Sequence, residues 1–135
     1  MPKPLTYLQK LSKNEYKNKI ETLAIRGGIP VYYLEEGDDF DFKGGVSIDV
    51  LNPSMEEMRK DSESDNDASL VFRLTYGDMS ALFCGDITKE TEKRILKSGL
   101  QMDSDIIKVA HHGSAYSTGE EFLKQVQPRL AIISC

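Results

Sequence analysis

MSALFCGD at residues 79–86, followed later by DIIKVAHHGS at residues 105–114, decides how this chain folds. Each stretch is a short apolar run that ends in a polar, glycine-containing turn. Ala81, Leu82, Phe83 and Cys84 are apolar at consecutive positions, which suits a strand covered on both faces and therefore central in its sheet. Ile106 to Ala110 reads as a second, mostly apolar strand. Between them Thr88 caps a helix carrying Ile95 and Leu96, and Gly99 ends it. Two strands joined through a single crossover helix run parallel. Their carboxyl ends then share one rim, the place where open α/β sheets bind ligands. Asp86 follows the first strand at once, and His111 and His112 follow the second. Topology alone therefore brings these residues together if the strands are neighbours.

The pattern extends in both directions. Downstream, Thr118-Gly119-Glu120-Glu121 reads as a capping box opening a helix with Phe122, Leu123 and Val126. Pro128 ends that helix, and Leu130 to Ser134 is a last strand. Upstream, Leu70, Phe72, Leu74 and Tyr76 alternate with Val71, Arg73 and Thr75, and Gly77-Asp78 turns this strand into the Met79 to Cys84 strand as a hairpin. Val46 to Leu51 alternates as a half-buried strand stopped by Asn52-Pro53. Phe40 and Phe42 alternate with acids, which suggests a short edge strand. The segment from Met58 to Ala68, which includes Asp61 to Asp67, is polar, charged and aperiodic and reads as a loop.

Nearer the start, Ser12 to Glu15 forms a further capping box. Tyr16, Ile20, Leu23 and Ala24 line one face of the helix it opens, and Gly27-Gly28 closes it. Ile29 to Leu34 reads as a strand despite Pro30, so helix, turn and strand look like the second half of a βαβ unit. The expectation is an α/β chain, a mixed sheet flanked by helices, forming a single domain over residues 1–135.

Composition narrows the function. The formal net charge of -5 argues against broad nucleic-acid affinity from this domain by itself. Cys84 and Cys135 lie far apart and outside any CxxC pattern, which argues against a disulfide framework; Cys84 reads as a buried thiol. The N-terminus has no apolar signal-peptide core, and no stretch approaches the ~20 apolar residues of a membrane span. The cellular location stays unassigned.

Carboxylate oxygen and neutral imidazole nitrogen are standard ligands for zinc, manganese or iron. A metal held by Asp86, His111 and His112 would lower the pKa of a bound water and make a nucleophile. The plainer reading is that Asp86 is a turn residue and that the histidine pair is one packed and one exposed ring. Adjacent side chains point opposite ways, so one of the two histidines faces the rim, and which one stays open. A catalytic zinc site wants three protein ligands. The chain has two histidines in all, and Asp67 is a further candidate donor. Ser114, His112 and Asp86 contain the residue types of a Ser-His-Asp triad, but no G-x-S-x-G elbow is present. Ser114 is read as a residue that orders the histidine loop.

Four motifs in order carry a resemblance: NDASLVFRL (66–74), LFCGD (82–86), DIIKVAHHGS (105–114) and PRLAIIS (128–134). Together they resemble the later half of the metallo-β-lactamase superfamily, in particular the hydrolase-like domain of ComEC-type DNA-uptake proteins. The resemblance implies an αββα sandwich with a divalent metal, zinc or manganese, at the sheet edge. It implies Asp86 and one of His111 and His112 as metal-site residues, beside a polar turn at Asn66 and Asp67. The family's H-x-[HD]-x-D-H motif has no match in Met1 to Asn66. The chain is therefore expected to be a fragment of such a domain, nearly inactive alone. In the complete parent, which would hold this domain outside the bilayer if it is a membrane protein, the substrate would be a phosphodiester of nucleic-acid type. The alternative is a non-catalytic scaffold or interaction domain that kept the fold and lost the metal. A fragment with missing neighbours is also expected to self-associate as a homo-oligomer.

Overall fold

A computed structural model describes residues 15–55 and 65–134. Its centre is a six-stranded mixed sheet whose strands lie in sequence order: β1 (Asp39–Phe42), β2 (Val46–Asn52), β3 (Val71–Tyr76), β4 (Met79–Phe83), β5 (Ile106–Lys108) and β6 (Leu130–Ile132). The first four form an antiparallel meander. β4, β5 and β6 are parallel, with Ala81 opposite Ile106 and Ile106 opposite Leu130. Helix α2 (Lys89–Ser98) connects β4 to β5, and α3 (Glu120–Val126) connects β5 to β6. The chain is thus an α/β fold.

Ladder partners directly opposite one another share a face, and alternate residues along a strand do too. One face carries Leu51, Val71, Leu82 and Ile107, all fully buried against Ile95 of α2 and Phe122 and Val126 of α3. Each such side chain contributes about 1.5–3 kcal/mol by leaving water. The short apolar runs form strands because both helices return over this face.

The opposite face carries Phe42, Phe72, Leu74, Tyr76, Met79, Phe83, Leu130 and Ile132. Phe72 and Phe83, ladder partners, stack with ring centroids 4.8 Å apart. No described helix shields the Tyr76 end of this face: Tyr76 is 60 % exposed and Met79 52 %.

Four expectations need correction or adjustment. Ile29 to Leu34 is not a strand: it holds a single bridge residue, Tyr32. Pro30 offers no N–H to a ladder, which counts against regular pairing of this stretch. The first helix, α1 (Glu15–Arg26), is present, but Ile20 and Leu23 on its apolar face are exposed. The part of the polar loop at Asp65–Ala68 is an ordered 3₁₀ turn. The Thr118 capping box does not form; Gly119 is the N-cap, without a side-chain bond. Ser12 to Asn14 and residues 56–64 lie outside the described residues.

Candidate functional site

The rim at the carboxyl ends of β4 and β5 is built from two loops stitched to each other. Gly85 and Asp86 turn directly after β4, and the amide of His111 donates to the carbonyl of Gly85 at 3.0 Å. The amide of Asp86 donates to Ser69 Oγ at 3.2 Å. Ser69 ends the 3₁₀ turn, so that turn sets the height of Asp86 on the rim.

The turn is itself pinned. Fully buried Asn52 donates through Nδ2 to the carbonyls of Asp67 and Ser69 at 2.9 and 2.7 Å. Arg94 of α2 reaches both Asn52 and Glu36, the latter at 2.6 Å. Asp67 Oδ1 accepts the hydroxyls of Thr88 and Thr91 at 2.7 and 2.8 Å. Burial pushes the Asp67 carboxyl upward, but those hydroxyls and the Thr88 amide together outweigh it and hold it below its ordinary value. Asp67, weighed above as a metal donor, spends this oxygen on the N-terminus of α2.

After β5 the backbone enters a left-handed turn. His111, His112 and Gly113 have φ of 46°, 54° and 77°. Two consecutive non-glycine residues in this region cost about 1–2 kcal/mol each, and such outliers cluster at functional sites. The loop is held by its own hydroxyls. Ser117 Oγ donates to Ala110 O, Thr118 Oγ1 accepts the Ala110 amide, and the Ser114 amide donates to His111 O. Ser114 Oγ accepts the Tyr116 amide at 3.2 Å, which makes it an ordering residue in this loop.

The two histidines diverge. His111 is half-buried, and its Nδ1 is enclosed without a hydrogen-bond partner. His112 is exposed and stands against Asp86, with Nε2 3.8 Å from Oδ1; the side chains are 60 % and 43 % exposed. On its other side His112 Nδ1 lies 3.0 Å from the carbonyl of Ser134, just beyond β6. A carbonyl only accepts, so this contact is a hydrogen bond in the tautomer that carries its proton on Nδ1, and in that tautomer the neutral ring presents the Nε2 lone pair toward the carboxylate; Ser134 Oγ lies 3.3 Å from the same Nδ1. Two electron-rich groups this close are stabilised by a cation between them, either a proton or a metal.

Two ligands of a tetrahedral ion, each about 2.1 Å from it, stand about 3.4 Å apart, so the observed spacing closes on an ion with a small adjustment. A ligating histidine commonly donates its other N–H to a carbonyl, as here. The donor set thus fits half a metal site. Among the described residues no group of three or more His, Cys, Asp or Glu side chains converges. Cys84, fully buried under this rim, is pushed up to about 12, chiefly by burial and then by the Glu92 carboxylate, so it stays an inert thiol.

Three residues that shape the rim escaped the sequence reading. Ser69 and Ser134 sit at ends of neighbouring strands, a position that topology marks. Glu92 of α2, buried, accepts the amides of Thr118 and Gly119, the latter at 2.8 Å, and so ends the histidine loop. No local pattern links it to residues 118–119.

No protein-family model matches the chain. Over 86 % of its length it is 37 % identical to ComE operon protein 3 of Bacillus subtilis, covering 14 % of that protein. It is 34 % identical to Competence protein ComA of Neisseria gonorrhoeae over 86 % of the chain and 17 % of the relative. It is also 34 % identical to Recombination protein 2 of Haemophilus influenzae over 76 % of the chain and 12 % of the relative. The chain therefore spans less than a fifth of the length of each of these relatives. Among the described residues no helix is long and apolar enough to cross a membrane.

Proposed function

We propose that this chain, a relative of the ComEC-type competence proteins, is the later part of a metallo-β-lactamase-type hydrolase domain. In the complete domain a divalent metal, zinc or manganese, would activate water against a phosphodiester of nucleic-acid type during DNA uptake. Asp86 and His112 would supply two of its ligands, and the missing ligands would come from a segment outside this chain. His111 would support the loop from beneath. The observation that carries this reading is the Asp86–His112 pair, 3.8 Å apart, with His112 oriented by the carbonyl of Ser134.

The sheet supports the same reading. Among the described residues, helices α2 and α3 cover one face and the second face is also largely apolar, which is what one half of an αββα sandwich presents. The words competence and recombination in the relatives' names fit a nucleic-acid substrate. The acidic chain is a poor nucleic-acid binder by itself, so substrate affinity would come from the rest of the parent. A parent held in a membrane would carry this domain outside the bilayer.

The test is calorimetric titration of the chain with Zn²⁺ and Mn²⁺, in parallel with Asp86→Ala, His112→Ala and His111→Ala. With two exposed ligands, binding should be weak, of the order of 0.1–1 mM. It should vanish in the first two variants and survive in the third. Metal binding that is indifferent to Asp86 and His112 would overturn the assignment. Turnover of a model phosphodiester should be near background.

A second reading is a scaffold that kept the fold without metal chemistry. The solvent exposure of Asp86 and His112, as in an ordinary surface pair, favours it. A stoichiometric metal at Asp86 and His112 in the intact parent, seen by anomalous scattering, would exclude it.

A further inference from the structure

We infer that Asn52 is a positioning residue for Asp86, aimed by a bulge in β2 and acting through Ser69. This role rests on the proposed reading of the Asp86–His112 pair, although the placement of Asp86 is measurable without metal. Along a regular strand Asn52, two residues after Val50, would point to the same face as Val50. The ladder slips between them: Val50 lies opposite Phe72, whereas Asn52 lies opposite Val71. Leu51 and Asn52 thus stand where a regular ladder has one residue, and the bulge turns Asn52 to the face that carries Val71. Arg94 of α2 meets it there. Bulges are frequent beside functional sites, where they re-aim a side chain in this way.

The side-chain amide of Asn52 is fully buried, with both of its polar atoms engaged. A guanidinium only donates, so Arg94, itself held by Glu36 at 2.6 Å, takes the Oδ1 end. Nδ2 then gives one hydrogen to the Asp67 carbonyl at 2.9 Å and the other to the Ser69 carbonyl at 2.7 Å. Both carbonyls belong to the turn whose Ser69 Oγ receives the Asp86 amide at 3.2 Å. One planar group supplies two donors and an acceptor at once; aspartate lacks the donors, and leucine lacks all three. Partners behind a metal ligand are worth about 10–100-fold in metal affinity.

Amide hydrogen exchange on the full 135-residue chain reads the placement of Asp86 directly. Asn52→Asp keeps an acceptor for Arg94 and loses both donors. It should speed exchange at the Asp86 amide about 10-fold more than at Ile107 in the sheet. Val126→Ala, which loosens the core away from this relay, should not single out Asp86. Mn²⁺ titration followed by water-proton relaxation reads the pair itself. Asn52→Asp and Ser69→Ala should each weaken binding about 10-fold. Their double variant should bind no more weakly than the poorer single one, because both cut one path. Exchange at Asp86 that rises no more than at Ile107 overturns the inference. So does metal binding that is unchanged in Asn52→Asp, or losses that multiply in the double variant. If the parent chain binds no Mn²⁺ at Asp86 and His112, the proposed function fails, and exchange at Asp86 alone decides the role of Asn52. Should Asn52→Asp misfold, Asn52→Ser removes the amide without burying a charge and serves in its place, with the same outcomes.

Discussion

At Gly85 the backbone has φ +55°, and a Cβ would stand 2.7 Å from Ser69 Cβ and 3.2 Å from the Leu70 carbonyl. Both constraints act on one residue, because the Asp86 turn is pressed onto the turn that holds it. Gly85→Ala should therefore cost about 2–4 kcal/mol, combining left-handed strain with overpacking. Urea denaturation checks this; a change under 1 kcal/mol would mean the two turns separate freely. Asp67 next door predicts a pH effect. Its folded pKa lies below the ordinary 3.8, so its stabilising share is fully present above 3.8 and is lost as pH falls through the lower, folded value. The melting temperatures of the chain and of Asp67→Asn should differ at pH 7 and converge below about pH 3.8. A gap that stays constant down to pH 2.5 would show that the carboxylate is not its source.

Between elements, the histidine loop depends on α2. Glu92 gives each carboxylate oxygen to one amide at the start of α3. Burial is the largest influence on it and raises its carboxyl above the ordinary range, while the Gly119 and Thr118 amides and Lys89 pull it back. Glu92→Ala would strand two amides, at about 1–3 kcal/mol each, so a loss of about 2–5 kcal/mol is expected by thermal or urea unfolding. Faster amide exchange at Thr118 and Gly119 should accompany it; unchanged exchange there would refute the cap. This contact also marks where sequence reading stops. The β4 and β5 strands, their parallel pairing and the meeting of Asp86 with the histidine pair were legible, because apolar runs and one crossover helix leave little choice. Which histidine faces Asp86 was not legible, since it follows from a left-handed backbone that histidine does not itself demand. The fate of Ile29 to Leu34 was hidden too: its β-branched content promised a strand, but propensity does not supply a pairing partner, and Pro30 removes a ladder donor.

For the molecule as a whole, the exposed Asp86–His112 pair stands apart from the buried core, although Cys84 and Ala110 carry that core up to the foot of the rim. The buried cluster of Leu82, Ile95, Ile107, Phe122 and Val126 joins the sheet to α2 and α3 without a polar group from the site. Asp86 and His112 are solvent-exposed, so water can solvate both side chains without any bound ion. A metal at this pair would then not be needed for folding, unlike in small domains whose core is the metal itself. The consequence is measurable. Dialysis against EDTA should shift the melting temperature by less than about 1 °C. Adding 1 mM Mn²⁺ should stabilise by only about 0.4 kcal/mol if the dissociation constant is near 1 mM. Leu82→Ala, by contrast, should cost about 2–5 kcal/mol, since it opens a cavity at the centre of the sheet. A collapse of the fold in EDTA would place a structural metal somewhere in the chain and break the division between a self-sufficient core and an adjustable rim. On the proposed reading, that division would let a relative of a much longer protein keep the shape of the rim whether or not an ion is bound there.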